Sequence, residues 1–495
     1  MSGAAPIDPG ERPDVLATSM AGSAAIRGGV LRIAGYALGV VLSVGSAAVL
    51  FRHLGVADGG RYVTVLALVA TVQGLTDFGL TAIGIRELAA GPAHRREQVL
   101  RALLGLRLGL TAGGVGAAVL FAGVAGYEGA MVVGAALAGL GLVIQNQQTT
   151  LATELMVELR LGWVTALELL RQAISVALIF ALVVAGASLV PFLAVPIPAA
   201  TVVFVLTLVL VRGRIPILPR FDMPEWRALL RDVLPFAAAT AIGSVYFRLA
   251  IVLLSLIASA DETGYYAASF RVVEVLVVVP QLVVTAAFPI FVRAARDDRS
   301  RLGYGVQRLF EACALLGGWI TLCLVLGAGF IIEIVAGPDF APSVPVLRIQ
   351  AITVFAIFLS SVWSYALLSL REHRALLTVT CITLIVNCAL VFLLGEAHGA
   401  RGAAVATLAA DVVGTIGLGL VLSRRHRELR PQLQVLISVT AAGAAAAALA
   451  LIPGLPDMIL IAAATLIYGG VLLLLRAIPE ELLIELRRLR GAPES

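Results

Sequence analysis

Long apolar runs follow one another along almost the whole chain. Each run holds about 20 mainly apolar residues, enough for an α-helix to cross the hydrocarbon core of a bilayer, and short charged connectors separate the runs. The strands of a transmembrane barrel would instead be about ten residues long and alternate in polarity. The pattern therefore predicts an all-α integral membrane protein with about fourteen transmembrane helices, at residues 29–50, 62–84, 103–124, 129–150, 164–186, 190–211, 233–257, 265–292, 309–335, 345–369, 375–395, 402–423, 432–452 and 457–475.

Composition supports this class and excludes a soluble domain. Of 495 residues, 60% are hydrophobic and 14% are charged, and the mean hydropathy is +0.99. All 36 basic residues are arginine, a bias typical of bacterial codon composition. They flank the apolar runs instead of following a groove, so no nucleic-acid partner is expected. The four cysteines lie inside apolar runs without metal-ligand spacing and are interpreted as core residues: Cys313, Cys323, Cys381 and Cys388.

The distribution of arginine predicts the orientation. With the N-terminus in the cytoplasm, 27 arginines fall in cytoplasmic segments, 6 inside helices and 3 in the opposite loops (Arg52, Arg61 and Arg401). Cytoplasmic loops carry such an excess of basic residues, and a miscount of one helix would destroy the asymmetry. We therefore expect a multi-pass protein of the bacterial cytoplasmic (plasma) membrane with both termini cytoplasmic.

The longest polar connector, residues 212–232, follows the sixth predicted helix and divides the helices into two sets of six. The N-terminal residues are rich in Pro, Gly, Ala and Ser and lack the pattern of a signal peptide. The last residues place leucines on one face and end in arginines, as a helix at the membrane surface would. The expected organisation is a disordered cytoplasmic tail (1–25), an N-lobe (26–214), a linker and C-lobe (215–430), two added helices (431–476) and an amphipathic cytoplasmic tail (477–495).

A weak internal repeat relates the two predicted lobes. Sliding the chain by 204 positions pairs Gly60 with Gly264, Tyr62 with Tyr266, Asp58 with Glu262 and Asp77 with Gln281. Each member of the repeat contains a short acidic turn followed by Gly-x-Tyr and an apolar run. Repeated lobes of this kind are typical of transporters.

Six segments together resemble a known family. They are residues 54–62 (LGVADGGRY), 75–89 (LTDFGLTAIGIRELA), 261–271 (DETGYYAASFR), 288–289 (FP), 337–349 (GPDFAPSVPVLRI) and 399–407 (GARGAAVAT). Their order and placement resemble the polysaccharide-biosynthesis or oligosaccharide flippases of the MOP superfamily. The resemblance implies two pseudo-symmetric six-helix lobes around a central cavity, alternating access and a lipid-linked saccharide as substrate. Family members often carry Arg-x-Asp in the seventh helix; this chain has Arg248-Leu249-Ala250, so that ion-coupling role is not carried over.

Ionisable side chains inside predicted helices need a partner or a wet cavity, because hydrocarbon does not solvate charge. Arg248, Arg271 and Glu274 lie in the same membrane half on predicted helices seven and eight. Arg271 and Glu274 are three residues apart and can pair on one helix face, so a self-neutralising pair and a substrate role are both open. Arg248 has no acid nearby in sequence and is predicted to be a cavity cation that meets a pyrophosphate.

The other candidate cavity residues are Asp77, Gln73 one turn before it, and Gln281. Asp77 could bind a cation, or equally well a helix end in the neighbouring lobe. Three further groups receive structural interpretations: Glu168 and Arg171 pair with each other, Arg32 and Arg107 snorkel to the cytoplasmic face, and Asn387 and Asp411 bond to each other.

The leading functional hypothesis is a flippase, not an enzyme, that moves an undecaprenyl-pyrophosphate-linked oligosaccharide for cell-surface polysaccharide biosynthesis. It needs no cofactor and no metal. Because no Walker loop is present, the energy would come from an H⁺ or Na⁺ gradient or from product removal. The expected partners are the lipid-linked substrate, membrane lipids and a glycan polymerase. The alternatives are a lipid II-type or multidrug exporter, or a membrane saccharide polymerase. A polymerase would need a longer extracytoplasmic loop than those predicted for this chain.

Overall fold

The computed structural model describes residues 21–77, 80–90, 93–158, 160–212, 218–451 and 456–477. The α-helices are α1 (Ala21–Asp77), α2 (Leu80–Ala90), α3 (Ala93–Val124), α4 (Gly129–Val157), α5 (Leu161–Val184), α6 (Leu189–Ala194), α7 (Pro196–Val211), α8 (Met223–Ile257), α9 (Ala260–Leu276), α10 (Val278–Asp297), α11 (Arg299–Val335), α12 (Ser343–Ser369), α13 (His373–Arg425), α14 (Gln434–Ala447) and α15 (Asp457–Leu474). Short 3₁₀ helices cover Pro338–Phe340, Arg427–Leu429 and Ala448–Leu451. Most of each predicted tail, residues 1–20 and 478–495, lies outside the described ranges.

Eleven helical stretches in the described ranges are long and apolar enough to cross a membrane. Two of them, Leu38–Asp77 and His373–Arg425, are each interrupted by a glycine with non-helical backbone angles, Gly55 and Gly399, and therefore hold two helices each. The shorter apolar helix Ile242–Ile257 completes the set. All fourteen predicted helices thus have a counterpart, and the prediction of an all-α membrane protein is confirmed.

Some predicted helices are divided in the structure. The helical hydrogen bonds of the eighth, 265–292, are interrupted at Val277 between α9 and α10, and those of the sixth at Val195 between α6 and α7, while the backbone angles of both residues stay helical. Proline explains both breaks, because Pro280 and Pro196 lack the N–H that would bond to the carbonyl four residues earlier. The sequence pattern predicted the span but not the interruption.

Tight turns gather at one end of the helical bundle. Five glycines with positive φ form them, and we call this the glycine end: Gly55, Gly126, Gly186, Gly337 and Gly399. Contacts between distant segments join the turns. Arg52 donates to the carbonyl of Glu333 at 2.8 Å, and the Ala400 N–H donates to the Glu262 carboxylate at 2.7 Å. The glycine end is therefore a closed, interlinked surface.

Gly55 owes its identity to backbone conformation alone. Its φ of 72° and ψ of −172° lie in a region that is essentially restricted to glycine, and no atom lies within 4 Å of the position that a Cβ would take. We expect Gly55→Ala to lower the free energy of unfolding by about 1–3 kcal/mol, through strain without collision. Thermal unfolding in detergent measures this. Gly45→Ala, equally free of contacts but in the helical part of α1, is the control and should be neutral or stabilising; equal losses would contradict the backbone argument.

The two halves of the chain meet where the sequence repeat aligns two glycines. Gly60 on α1 and Gly264 on α9 face each other: a Cβ on Gly60 would lie 2.6 Å from the Gly264 nitrogen. A Cβ on Gly264 would collide with the carbonyl oxygen of Val56. Residues that the repeat predicts to be equivalent therefore touch, and only glycine permits helix backbones to approach this closely.

The polar connector after α7 is attached to α3 where it is described. The Arg220 N–H donates to the Arg101 carbonyl at 2.9 Å, and Arg101 Nε donates to the Leu218 carbonyl at 3.3 Å. The ring of Trp226, at the start of α8, packs on the apolar cluster of α2 and α3 and over Gly105. Residues 213–217 lie outside the described ranges.

Candidate functional site

Three adjoining cavities lie inside the bundle. The central cavity, of about 950 Å³, is lined by α1, α2, α3 and α4 from the first half and by α8, α9, α10, α12 and α13 from the second. A first-half cavity of about 610 Å³ and a side cavity of about 530 Å³ adjoin it. Glu274 lines all three, Arg248 lines the central and first-half cavities, and Arg271 lines the first-half and side cavities. These three side chains therefore stand where the cavities meet.

We call Arg248, Arg271 and Glu274 the cationic cluster. Arg248 Nη1 donates to Glu274 Oε1 at 2.8 Å, and Arg271 Nη1 donates to Glu274 Oε2 at 2.6 Å. Arg271 Nη2 also donates to Ser43 Oγ on α1. All three charged side chains are half-buried. Two guanidinium groups share one carboxylate, so the cluster carries a net charge of +1.

The cluster corrects one sequence expectation and supports another. Arg248 has no acid nearby in sequence, but the antiparallel packing of α8 and α9 brings it to Glu274, 26 residues away. The predicted contact between Arg271 and Glu274 is present. Because Glu274 serves both arginines, it cannot neutralise both, and the substrate role left open for these residues stays a prediction.

A second ion pair joins Asp77 to Arg107. Arg107 Nη2 donates to Asp77 Oδ1, while Nη1 lies 3.2 Å from Thr81 Oγ1 and 3.3 Å from Thr150 Oγ1. The Arg107 side chain is 5% exposed, whereas that of Asp77 is 43% exposed and faces the central cavity. The interpretation of Arg107 as a snorkelling residue is therefore wrong: it is a buried charge that a cavity carboxylate and two hydroxyls partner. The Arg32 side chain lies outside the described part.

The unequal burial of this pair leads to an asymmetric prediction. Asp77→Asn leaves a buried guanidinium without its counter-charge and should cost about 3 kcal/mol or more in stability. Arg107→Gln leaves a carboxylate that can still reach the wet cavity and should cost less, about 1 kcal/mol. Thermal unfolding of the two single variants and the double variant in one detergent measures this. We expect the double variant to recover most of the Asp77→Asn loss; equal single losses and no recovery would contradict the burial argument.

The remaining predicted residues are distributed over the same cavities. Gln73 and Gln281 are exposed to the central cavity. Glu168 and Arg171 form the predicted internal pair, which is neutral overall, on the wall of the first-half cavity.

The expected bond between Asn387 and Asp411 is absent from the described residues. Asp411 Oδ1 instead accepts from the Tyr246 hydroxyl at 2.7 Å, and both amide atoms of Asn387 are buried with no partner in the part of the chain described.

One wall of the central cavity is formed by uncharged polar residues that the sequence pattern does not predict as site residues. On α12, residues at spacings of three and four line the cavity, beginning with Gln350 and Thr353. Tyr266 on α9 and Thr407 on α13 continue this wall, with their hydroxyls 3.3 Å apart. These side chains are uncharged, so the cost of placing an ion in hydrocarbon does not mark them in the sequence. The spacing of polar residues along the predicted tenth helix was the available signal.

The fold is that of a class of membrane transporters. A solved structure described as "Lipid II flippase MurJ, inward closed conformation" superposes with a TM-score of 0.75 at 11% identity, covering 89% of this chain and 98% of that one. An inward-facing multidrug-resistance MATE transporter of the MOP superfamily superposes with a TM-score of 0.63 at 13% identity, covering 81% and 98%. A MOP superfamily transporter from Pyrococcus furiosus gives 0.56 at 15% identity, covering 83% and 96%. The chain therefore has the MOP superfamily fold, as the sequence resemblance predicted.

The family follows from sequence. The family model described as "Polysaccharide biosynthesis protein" matches residues 26–295, which is 270 of the 495 residues. The chain belongs to this polysaccharide biosynthesis family. A search of curated proteins finds none that matches it.

Proposed function

We propose that the protein is a flippase that moves an undecaprenyl-pyrophosphate-linked oligosaccharide across the bacterial cytoplasmic membrane for cell-surface polysaccharide synthesis. The observation that carries the proposal is the cationic cluster, in which Arg248 and Arg271 leave one positive charge unbalanced where three cavities meet. A pyrophosphate that leaves water needs such donors, and guanidinium groups bind phosphate oxygens through two parallel hydrogen bonds.

The proposed substrate divides between two environments. The polyprenyl chain is apolar and stays among lipid tails, whereas the pyrophosphate and sugars require a polar cavity. A combined cavity system of this size suits a polar headgroup better than a small ion alone. Transport requires no covalent step, so residues that bind and release the headgroup suffice.

Alternating access would follow from relative motion of the two halves around the central cavity. In the present conformation the halves are in contact at Gly60 and Gly264, so the glycine end is closed. We place this end outside the cytoplasm and both termini inside, as the arginine distribution favours. A coupling H⁺ or Na⁺ and a glycan-polymerase partner stay predictions from the sequence.

Lipid II is the competing substrate. The MurJ structure named as a lipid II flippase aligns with 89% of this chain, and lipid II is also a polyprenyl-pyrophosphate saccharide. The cationic cluster suits both headgroups, because both present the same pyrophosphate. Family membership in polysaccharide biosynthesis favours the oligosaccharide.

The deciding experiment reconstitutes the protein in liposomes and follows fluorescent undecaprenyl-pyrophosphate-oligosaccharide between leaflets, with lipid II and a cationic dye as alternative cargo. We expect wild type to move the oligosaccharide lipid and Arg248→Ala to lose most of this activity. Arg299→Ala, which removes an arginine from an exposed pair with Glu428 away from the three cavities, is the matched control. Exclusive movement of lipid II or of the dye would overturn the proposal in favour of that substrate, and movement unaffected by Arg248→Ala would discard the phosphate role.

A further inference from the structure

Two polar atoms on α12 lack any partner among the described residues. They are Gln350 Oε1 and Thr353 Oγ1, in residues that are 2% and 3% exposed. The two residues are three positions apart, so they occupy one face of the helix, and this face lines the central cavity. A buried polar atom without a hydrogen bond costs about 1–3 kcal/mol. Two such atoms side by side on a cavity wall indicate that a bound molecule supplies their partners.

The surrounding groups define the chemistry of that molecule. Beside Gln350, the Tyr266 hydroxyl lies 3.3 Å from Thr407 Oγ1, and the Tyr246 hydroxyl donates to Asp411 at 2.7 Å. The wall therefore offers hydroxyls, an amide and a carboxylate, but no cation. Sugar hydroxyls both donate and accept, so they can satisfy an unpaired amide oxygen and an unpaired threonine hydroxyl together.

A row of aromatic side chains connects the polar wall to the cationic cluster. The Arg248 guanidinium is 5.8 Å from the Phe247 ring centroid, Phe247 is 5.0 Å from Phe270, and Phe270 is 6.1 Å from Tyr266. Tyr266 in turn interacts with Gln350. A continuous row of aromatic rings that line the central cavity therefore leads from Arg248 to the polar wall.

We propose that Gln350 and Thr353, together with Thr407 and Asp411 on α13, form the subsite for the sugar residues next to the pyrophosphate of the lipid-linked substrate. The inference rests on the proposed function, because it gives a binding site to the sugars of a headgroup whose pyrophosphate the cationic cluster would bind. The subsite recognises uncharged hydroxyls and so determines glycan preference, while the cationic cluster binds what all such lipids share.

The test measures binding to full-length protein in nanodiscs with two probes: undecaprenyl pyrophosphate, and the same lipid bearing a neutral disaccharide. The variant Gln350→Met/Thr353→Val removes the unpaired atoms at nearly constant volume. We expect it to weaken binding of the disaccharide probe about tenfold and to leave the sugar-free probe unchanged. Its melting temperature should change little, since removal of two buried unpaired atoms offsets the loss of the contact between Gln350 and Tyr266. Thr383→Val, on α13 and not on the cavity wall, is the control.

The outcomes separate the two proposals. If wild type binds neither probe, the proposed function fails and the subsite with it. If wild type binds both probes equally well, or if the double variant loses both equally or neither, the function stands and the subsite is wrong. A melting temperature that falls together with binding of both probes assigns the two residues to packing and also overturns the subsite.

Discussion

Replacing Arg271 with glutamine is expected to reduce transport of an undecaprenyl-pyrophosphate saccharide about 10- to 100-fold, the effect of losing one or two charge-assisted hydrogen bonds. Arg271 and Arg248 share Glu274, so the substitution takes the cationic cluster from a net charge of +1 to zero. The remaining arginine is then bound by its own carboxylate and is no longer available to a phosphate. The transport assay in liposomes measures the loss.

The cluster offers its own controls. Glu274→Gln raises the net charge to +2 and should retain or tighten pyrophosphate binding, whereas Arg271→Gln/Glu274→Gln returns it to +1 and should recover part of the transport. If the double variant recovers transport, net charge explains the loss in Arg271→Gln. If that loss came from a packing defect, the second substitution would instead reduce transport further. Transport that falls further in the double variant would contradict the electrostatic account.

Gly264→Val is expected to hold the glycine end open and to stop the transport cycle. A Cβ at this position collides with the Val56 carbonyl, and backbone cannot move aside as a side chain can. Overpacking of this kind costs about 2 kcal/mol, which shifts a closed-to-open ratio by about 30-fold. The measure is labelling of Leu66→Cys, in the first-half cavity, by a membrane-impermeant maleimide in a background without the native cysteines.

The control for this variant is Gly123→Val, since no atom lies within 4 Å of a Cβ there and the position is near the same end of the bundle. We expect faster labelling in Gly264→Val alone, from the side on which the glycine end lies. Equal labelling rates in the two variants would show that the close approach of α1 and α9 does not close the cavity.

The sequence predicted the fold to the level of its helices. Lengths and continuity of apolar runs identify transmembrane helices because backbone groups in lipid must bond within their own segment. The repeat offset even paired Gly60 with Gly264, although their contact required three-dimensional packing. The break at Val277 was not predictable from hydropathy, since proline is tolerated inside membrane helices and only sometimes divides them.

The site was predictable in part. The cost of charge in hydrocarbon identified Arg248, Arg271 and Glu274 one by one. Which carboxylate each arginine meets depends on the rotation of neighbouring helices, so the bond between Arg248 and Glu274 was missed. Helix rotation also explains Arg107. Its position near the end of a predicted helix suggested snorkelling, but its side chain points into the bundle and pairs with Asp77.

The uncharged residues of the cavity wall are harder to identify from sequence than the charged ones. Residues such as Gln350 carry no charge and cost less than an ion to place within an apolar run. A single sequence does not show whether such a residue faces lipid, a neighbouring helix or a cavity.

The attachment of the connector to α3 changes where the chain can be divided. Leu218 and Arg220 bond to Arg101, and Trp226 packs with α2 and α3, so the first turns of α8 assemble with the first half. Two fragments that are co-expressed and cut at residues 214/215 would separate Trp226 from its packing site. A cut placed after Trp226, within α8, keeps this attachment on one fragment and is the better choice for reassembling an active protein from two pieces.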